Sequence, residues 1–211
     1  MSRYVGPSCR LCRREATKLF LKGTKCLTEK CPVERRAYPP GQHGQSGGRP
    51  RKASEYAKQM REKQKVKRIY GLSERQFRNT FDAVTREPGV KGTNLLVALE
   101  TRLDNVVYRM GFAASRKAAR QLIGHGHVEV NGHRVDIPSY RVEPGEEVRV
   151  APASRELVAV KLAQESAARG APVSWLSVDQ DKAAGRLVER PTRDTIPINA
   201  QEQLIVELYS K

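Results

Sequence analysis

Long hydrophobic runs are missing from this chain. No stretch approaches the roughly 18 consecutive apolar residues that a membrane-spanning helix needs, and the first residues, Met1–Val5, lack the apolar segment of a secretory signal. These absences argue against a membrane protein and predict a cytoplasmic location. Because thiols are kept reduced in that compartment, the four cysteines are not expected to form disulfides.

Aromatic and acidic residues are also scarce. Aromatic side chains make up 6% of the 211 residues, which predicts modest hydrophobic cores. Lys and Arg number 39 against 23 Asp and Glu, a formal net charge of +16. Residues 1–70 hold 19 Lys and Arg and 5 Asp and Glu, so they account for +14 of the excess. This asymmetry predicts a nucleic-acid contact concentrated in one region, with a solvated basic face as the alternative.

Common catalytic motifs are absent as well. The sequence contains no Gly-x-x-x-x-Gly-Lys-Ser/Thr phosphate loop, no Gly-x-Ser-x-Gly nucleophile elbow and no His-Glu-x-x-His pair. It also lacks the spacing of a DNA-reading zinc finger or helix-turn-helix. We therefore expect a binding protein that is not an enzyme.

Four cysteines lie near the N-terminus. Cys9 and Cys12 form one closely spaced pair, and Cys26 and Cys31 form a second. Two such pairs supply four thiolates to one tetrahedral cation at about 2.3 Å, as in a closed structural zinc site. We expect zinc at these four residues, with an iron–sulfur cluster or free thiols as alternatives. Because four cysteines complete the ligand set, His43 is assigned to a loop near phosphate, and the metal to folding rather than catalysis.

Local patterns predict an irregular loop and then several helices. Residues 38–52 contain four Gly and three Pro, a composition that predicts a basic loop. Ser54 is placed to cap the helix that follows, and Ser73 has the capping-box spacing for the next one. A short helix with a basic side is predicted to begin after Ser115.

The last third of the chain predicts a small sheet. Asn131-Gly132 lies between two runs of alternating apolar and polar residues, which predicts a hairpin with a type I′ turn. Residues 140–142 and 148–150 are expected to extend it into a sheet. Short strands are expected near residues 175–178 and 186–188, and a final strand at 204–209.

These elements predict an α+β fold. A mainly helical, metal-supported N-terminal part is expected to contain an inserted helix-plus-β-hairpin RNA-binding module and to be followed by a short C-terminal α/β tail. The tail is expected to pack back on the N-terminal part, because neither has a generous core alone. The predicted boundaries are a four-cysteine metal-binding segment at 1–36, a basic Gly/Pro-rich loop at 37–52, a helical domain at 53–100, the RNA-binding module at 101–161 and the tail at 162–211.

Two basic arrays are predicted to contact RNA. In the first, the cysteine segment, the loop and the first long helix offer cations that follow phosphates and gain affinity from counterion release. Its members are Arg3, Arg10, Arg13, Arg14, Arg35, Arg36, His43, Arg49, Arg51, Lys52, Lys58, Arg61, Lys63, Lys65, Lys67 and Arg68. The second lies around the later short helix, whose N-terminus adds a positive dipole end, and on the hairpin. Its members are Arg102, Arg109, Ser115, Arg116, Lys117, Arg120, Gln121, His125, His127, Asn131 and Arg134.

Three segments of the second array resemble a known RNA-binding module. Leu103–Arg109, Ser115–Ile123 and His125–Gly132 look like the module named after the fourth small-subunit ribosomal protein. The same module occurs in pseudouridine synthases and tyrosyl-tRNA synthetases, so by itself it implies RNA binding only. The scarcity of aromatics agrees with recognition of folded RNA by shape rather than of single strands by stacking.

Other segments are similar to the bacterial family of that ribosomal protein, and the likeness runs from end to end. These segments are Arg3–Pro7, Pro40–Gly44, Arg61–Lys65, Arg75–Arg78 and Gln203–Lys211. The resemblance implies a primary binder of small-subunit ribosomal RNA that helps to nucleate subunit assembly. It also implies the fifth small-subunit protein as a neighbour, an influence on translational accuracy, and a place near the mRNA entry.

The resemblance points to Arg49, Arg51 and Lys52 as the residues facing mRNA. Two alternatives remain, an RNA-modifying enzyme that uses the same module and a zinc-containing nucleic-acid-binding regulator. The roughly 50 residues after Lys161 are few for an added catalytic domain.

Overall fold

The computed structural model describes residues 4–45, 53–167 and 173–210 and forms two compact units. The first, the helical unit, combines the described chain up to Gly92 with the chain from Ile198 onward. The second, the sheet unit, spans Thr93–Pro197. Helices throughout and a small antiparallel sheet make the architecture α+β, as the sequence predicts.

The secondary-structure elements follow in chain order. The helices are α1 (Ser8–Glu15), α2 (Pro32–Arg35), α3 (Glu55–Ile69), α4 (Glu74–Val84), α5 (Lys91–Glu100), α6 (Leu103–Arg109), α7 (Arg116–Gly124), α8 (Val158–Ala167) and α9 (Glu202–Tyr209). The strands are β1 (Val128–Val130), β2 (His133–Arg134), β3 (Glu147–Val150), β4 (Leu176–Asp179) and β5 (Ala184–Leu187). Short 3-10 turns lie at Gly23–Cys26 and Pro152–Ser154.

Two predicted helix caps in the helical unit are confirmed. The Ser54 hydroxyl accepts the Ala57 N–H at 3.3 Å, at the start of α3. Ser73 accepts the Gln76 N–H at 3.3 Å, and the Gln76 side chain accepts the Ser73 N–H at 3.4 Å, which completes the capping box. These bonds satisfy main-chain N–H groups that a helix start otherwise leaves without partners.

Helix α9 is where the sequence prediction of a final strand was wrong. Leu204, Val206 and Leu208 alternate as in a strand, and a short apolar run of this kind also fits a buried helix. In the structure α9 packs against α3, and Ile205 is fully buried. The Tyr209 ring stacks on Phe81 with centroids 4.7 Å apart. The packing partner therefore decided the conformation.

The sheet has the strand order β2-β1-β3-β5-β4, and every neighbouring pair is antiparallel. Val128 and Val130 on β1 face the core, while Glu129 between them is half-buried. Val148 and Val150 on β3 are buried opposite them in register. This alternation is what the sequence pattern predicts for a sheet with one covered face.

The predicted hairpin turn is confirmed. Asn131 has φ 49° and Gly132 has φ 83°, so both central residues have the positive φ of a type I′ turn. The Asn131 side chain stabilises the turn, because its Oδ1 accepts the Glu147 N–H at 2.9 Å.

The C-terminal part divides differently from the predicted boundaries. Strands β4 and β5 join the hairpin sheet through β3, and the sheet unit continues to Pro197. Only the chain from Ile198 onward belongs to the helical unit. Residues 140–142 do not form a strand and contribute a single bridge, between Arg102 and Arg141. The main chain of this segment pairs with residues 101–103 instead, since the Leu103 N–H donates to the Tyr140 oxygen at 2.8 Å and the Val142 N–H donates to the Thr101 oxygen at 2.9 Å.

The sheet unit has its own hydrophobic core beneath the sheet. Leu103 on α6, Ile123 on α7, Phe112 and Trp175 are all fully buried there. This core fixes α6 and α7 against β1, and the candidate interface described below is built on these elements. No described helix is both long enough and apolar enough to cross a membrane.

Candidate RNA interface

A buried carboxylate organises the basic part of the sheet unit. Glu100, at the end of α5, is completely buried. Arg109 Nε donates to Glu100 Oε2 (3.0 Å) and Arg109 Nη2 donates to Oε1 (2.8 Å), which makes a bidentate pair. Asn105 Nδ2 donates to the same Oε2 (2.7 Å) and to the Glu100 main-chain oxygen (2.8 Å). Arg109, predicted to contact RNA, thus neutralises a charge that would be costly to bury alone.

A second buried carboxylate holds two more of the predicted arginines. Arg102 Nε donates to Asp104 Oδ1 (3.1 Å), and Arg102 Nη2 donates to Asp104 Oδ2 (2.7 Å). Arg120, from α7, donates to the same Oδ2 at 3.4 Å. The side chains of Arg102 and Asp104 are only 7% and 5% exposed. Arg102 is therefore part of the interior, which differs from its expected place on an RNA-facing surface.

The start of α7 is built as the sequence predicts. The Ser115 hydroxyl accepts the Ala118 N–H at 3.2 Å, which confirms it as the N-cap. Arg116, the first residue of α7, donates from Nε to Asn105 Oδ1 at 2.7 Å. Its guanidinium carbon also lies 4.5 Å from the centroid of the Tyr108 ring, in a cation–π contact.

Arg134 on the hairpin rests on the residue that follows the end of α7. Its Nη2 donates to the His125 main-chain oxygen at 3.1 Å. Gly126 allows this approach, since a Cβ at that position would lie 1.9 Å from Arg134 Nε. Arg134 and His125 are exposed, and His127 shares a hydrogen bond of 2.8 Å with Ser154 through its Nδ1. The hairpin thus presents a fixed cation beside α7.

The remaining predicted residues of this array have different surroundings. Gln121 is exposed and Lys117 is half-buried, both on α7. The Asn131 side chain is used within the turn, where its Nδ2 also donates to Glu146 Oε1 at 3.4 Å. Contact of these residues with RNA stays a prediction.

In the helical unit, Arg13 clamps the chain that leads into the Gly/Pro-rich loop. Its Nε donates to the main-chain oxygens of Arg36 (3.2 Å) and Tyr38 (3.0 Å), and its Nη2 to that of Pro39 (3.4 Å). The guanidinium also lies 4.6 Å from the centroid of the Tyr38 ring. Arg13 therefore shapes this loop.

Several cations of α3 are paired with carboxylates. Glu15 on α1 accepts hydrogen bonds from Arg61 (3.3 Å) and from Arg68. Lys67 donates to Glu74 at 2.7 Å, and Lys63 donates to the same carboxylate. Lys63 is buried, which contradicts its expected place on an exposed face of α3.

The pKa of Glu74 reflects this double pairing. Partial burial acts to raise the pKa, but the hydrogen bonds from Lys63 and Lys67 outweigh it and lower the pKa to about 2. Two further pairs link neighbouring turns of α3, Lys58 with Glu55 and Lys65 with Glu62, both at 2.6 Å.

The other predicted members of the first array fall into two groups. The exposed ones are Arg10, Arg14, Arg35, Arg36 and His43. The ones outside the described residues are Arg3, Arg49, Arg51 and Lys52.

The four cysteines lie in the described part of the helical unit. Cys12, Cys26 and Cys31 are buried and Cys9 is partly buried. Burial raises the pKa of the Cys12 thiol, and the neighbouring thiols of Cys26, Cys9 and Cys31 raise it further. Cys26 Sγ accepts the Lys22 N–H at 3.4 Å, a bond that also suits a thiolate.

The donor set of these cysteines, all sulfur and mostly buried, suits a soft cation. Within residues 4–45, 53–167 and 173–210, however, no group of three or more His, Cys, Asp or Glu side chains is arranged to hold a metal ion.

Sequence reasoning missed the carboxylates that organise both arrays. Glu15, Glu100 and Asp104 are the acceptors for five of the predicted RNA-binding arginines. One signal was available for Glu100, because it directly follows the apolar run Leu95–Leu99, where an acid needs a buried partner.

The α6–α7 helices with the adjoining hairpin define a class of RNA-binding protein. Residues 101–148 match the family model described as the S4 domain. Residues 3–100 match the model described as the ribosomal protein S4/S9 N-terminal domain. The chain belongs to the ribosomal protein S4 family.

Curated relatives match this chain over its full length. The small ribosomal subunit protein uS4 of Thermus thermophilus is 54% identical over 212 residues, covering 100% of both chains. The protein of the same name from Thermodesulfovibrio yellowstonii is 56% identical over 215 residues, again with 100% of both chains covered. The uS4A protein of Symbiobacterium thermophilum is 56% identical over 211 residues with the same coverage. The resemblance to the bacterial family is confirmed.

Proposed function

We infer that this protein is a structural constituent of the small ribosomal subunit and binds its ribosomal RNA. Membership of the S4 family and identity above one half to small-subunit proteins along the whole chain support this function. It acts in the cytoplasm as a ribosomal component. Because the relatives are named as ribosomal proteins, no enzymatic role is assigned.

The observation that best supports an RNA-binding surface is the position of several cationic side chains around α7. Arg116 is held at the helix N-terminus, Arg134 is seated on Gly126, and Lys117 lies on the helix between them in sequence. A capped helix start and fixed cations form a rigid surface suited to the phosphates of folded RNA. We propose that exposed arginines of α1, Arg10 among them, give a separate phosphate contact in the helical unit.

The test is binding to small-subunit ribosomal RNA at one fixed salt concentration, with duplex DNA of equal length as the competitor. We expect strong preference for the ribosomal RNA, and chemical footprints that are lost when Lys117 and Arg134 are both replaced by Gln. Equal affinity for duplex DNA would favour a DNA-binding regulator and contradict this function.

We further propose that the protein nucleates small-subunit assembly and, with the fifth small-subunit protein, influences translational accuracy near the mRNA entry. The family resemblance supports these roles, and the predicted mRNA-facing residues Arg49, Arg51 and Lys52 lie outside the described chain. Replacing these three residues by Gln in ribosomes should change misreading of near-cognate codons while leaving subunit assembly intact. Unchanged misreading would contradict the proposed place at the mRNA entry.

We propose that Cys9, Cys12, Cys26 and Cys31 hold a structural zinc ion. The burial of three thiols and the N–H bond to Cys26 Sγ support a role in folding. Because the described side chains are not arranged to hold a metal ion, the four thiols would have to draw together when zinc binds. Natively purified protein should be colourless and contain zinc in an equimolar amount. Cys12→Ser should remove the metal and lower the melting temperature of the helical unit. Visible charge-transfer absorption would indicate an iron–sulfur cluster instead, and metal-free native protein would contradict the proposal.

A further inference from the structure

We propose that Asn105 is a positioning residue that holds Arg116 in its RNA-binding orientation. This proposal rests on the function inferred above, in which Arg116 contacts an RNA phosphate. Asn105 is fully buried on α6, whereas Arg116 begins α7 at the edge of the interface. A buried amide thus acts on RNA only through the arginine that it contacts.

The orientation of the Asn105 amide is determined by its surroundings. Its Nδ2 faces two acceptors of Glu100, the main-chain oxygen at 2.8 Å and the carboxylate Oε2 at 2.7 Å. An amide oxygen in that place would meet two acceptors and donate to neither. The amide oxygen of Asn105 must therefore face the other way, towards Arg116, where it accepts the Nε–H at 2.7 Å.

Glu100 in turn is held by Arg109. The bidentate pair, at 3.0 and 2.8 Å, places Oε2 where it meets Asn105. Glu100, Asn105 and Arg116 form a chain of hydrogen bonds that starts at a fully buried carboxylate and ends at the interface. The hydrogen bonds in such a chain polarise one another, and they restrict the rotamers that the bonded side chains can adopt.

The ring of Tyr108 limits the remaining freedom of Arg116. The ring lies under the guanidinium at 4.5 Å, while Asn105 occupies the Nε edge. One edge and one face of a planar group are then fixed, so the Arg116 plane is set before RNA arrives. An arginine ordered in advance loses less rotamer entropy on binding, and affinity rises accordingly.

The alternatives at position 105 explain why an amide is needed. A carboxylate would accept from Arg116 but would stand against Glu100, and two adjacent buried acids repel. An apolar side chain would remove one hydrogen-bond partner from Glu100 Oε2 and one from Arg116 Nε. Asn is the residue of this size that donates on one side and accepts on the other.

The experiment is a double-mutant cycle on affinity for small-subunit ribosomal RNA at fixed salt, in the full-length protein. The variants are Asn105→Ser, Arg116→Ala and the two combined. Asn105→Ser should weaken binding about 3- to 10-fold, the equivalent of one rotamer-rich side chain losing its order. In the Arg116→Ala background, Asn105→Ser should have no further effect on affinity. If the double variant instead loses affinity by the product of the two single-variant losses, the proposal is overturned.

The control for folding is Val107→Ala, which removes buried volume from the same helix at a position in the hydrophobic core of the sheet unit. It should lower stability in urea and leave RNA affinity unchanged. Affinity lost equally in this control would show that Asn105 acts through stability alone, and would overturn the proposal. If Asn105→Ser does not fold, Asn105→Thr, which is closer to Asn in volume, takes its place in the cycle with the same expected and contrary results.

Two further results separate this proposal from the inferred function. Wild-type protein that does not prefer ribosomal RNA over duplex DNA would overturn both. Wild-type protein that binds ribosomal RNA as expected, with Arg116→Ala equally tight, would overturn the positioning role and leave the RNA-binding function standing.

Discussion

At the scale of single residues, the arginines of the sheet unit have two uses. Arg102 and Arg109 neutralise buried carboxylates, whereas Arg134 is exposed beside α7. Arg120 reaches Asp104 from α7 and thereby ties α7 to the start of α6. A count of positive charges cannot separate these uses, because the difference lies in which acid each guanidinium meets. We therefore expect the sheet unit to lose stability when one partner of a buried pair is removed.

Asp104→Asn should destabilise the sheet unit by about 3 kcal/mol, because Arg102 would keep its charge in the interior with its partner neutralised. Urea unfolding, followed by the fluorescence of Trp175 in the same unit, measures the loss. The matched control is Arg102→Met with Asp104→Leu, which replaces both charges by apolar groups and should cost less than the single change. A double variant that is clearly less stable than Asp104→Asn would contradict this account.

Glu74 should make the helical unit sensitive to acid. Its pKa falls from 4.5 to about 2 in the folded state, so its stabilising effect is present above about pH 4.5 and is lost as the pH falls towards 2. The shift alone corresponds to about 3 kcal/mol, and since the side chain is 47% exposed, solvent screening reduces the expected effect to about 1 kcal/mol.

The measurement is the unfolding free energy of wild type and Glu74→Gln as a function of pH. The wild type should be more stable near neutral pH, and the two curves should converge in acid. Glu29→Gln, at an exposed position of the same unit, serves as the control. A difference that stays constant down to about pH 2 would rule out the ion pairs as its cause.

At the scale of elements, α9 illustrates how packing fixes a short apolar segment. The ring of Tyr209, on α9, stacks on Phe81, and its centroid lies 6.3 Å from that of Phe77. The Tyr209 hydroxyl donates to Glu74 Oε1 at 3.1 Å. Gln59 on α3 donates to Glu207 at 3.0 Å and ties down the same helix. A helix of eight residues is not stable alone in water, so these contacts are what keep it formed.

Tyr209→Ala should therefore destabilise the helical unit by about 2 kcal/mol, less than the roughly 3–5 kcal/mol for loss of a fully buried large ring, because the side chain is partly exposed. Tyr209→Phe keeps the stacking and loses only the hydroxyl bond, at a cost of about 1 kcal/mol. Thermal unfolding monitored by circular dichroism gives both values. Equal losses for the two variants would mean that the hydroxyl bond, rather than the ring, holds α9.

At the scale of the whole molecule, the net charge of +16 is the sum of paired and exposed cations. Residues 1–70 contribute +14 of it, yet Lys63 and Arg68 there are held by Glu74 and Glu15. Exposed cations are present in both units, Arg10 in one and Arg134 in the other. RNA affinity should therefore depend on both units, with nearly independent contributions.

The salt dependence of RNA binding tests this division. Lys117→Gln with Arg134→Gln should lower the slope of log affinity against log salt by about two, since each phosphate contact contributes about 0.9. Arg10→Gln with Arg14→Gln should do the same from the helical unit, and all four changes together should add. The control pair is Arg186→Gln with Arg190→Gln, exposed residues outside the candidate interface, which should leave the slope almost unchanged.

Local patterns predicted the elements that depend on near neighbours in sequence. The caps at Ser54, Ser73 and Ser115 and the turn at Asn131-Gly132 are all as expected. Each depends on bonds or dihedral angles within a few residues, which the sequence specifies directly. The structure brings Arg116 and Arg134 of the predicted second array close to α7 and places Arg102 in the interior, while their contact with RNA stays a prediction.

The sequence by itself determined the α+β class, the basic character of the N-terminal third and the family, because composition and motifs are carried by residue identity alone. Only the tertiary structure decided that α9 is a helix, that β4 and β5 complete the sheet, and which arginines are used inside. These outcomes depend on partners far along the chain, such as Glu15 for Arg68 and Glu207 for Gln59. Burial makes such pairings strong, and no local pattern reveals them.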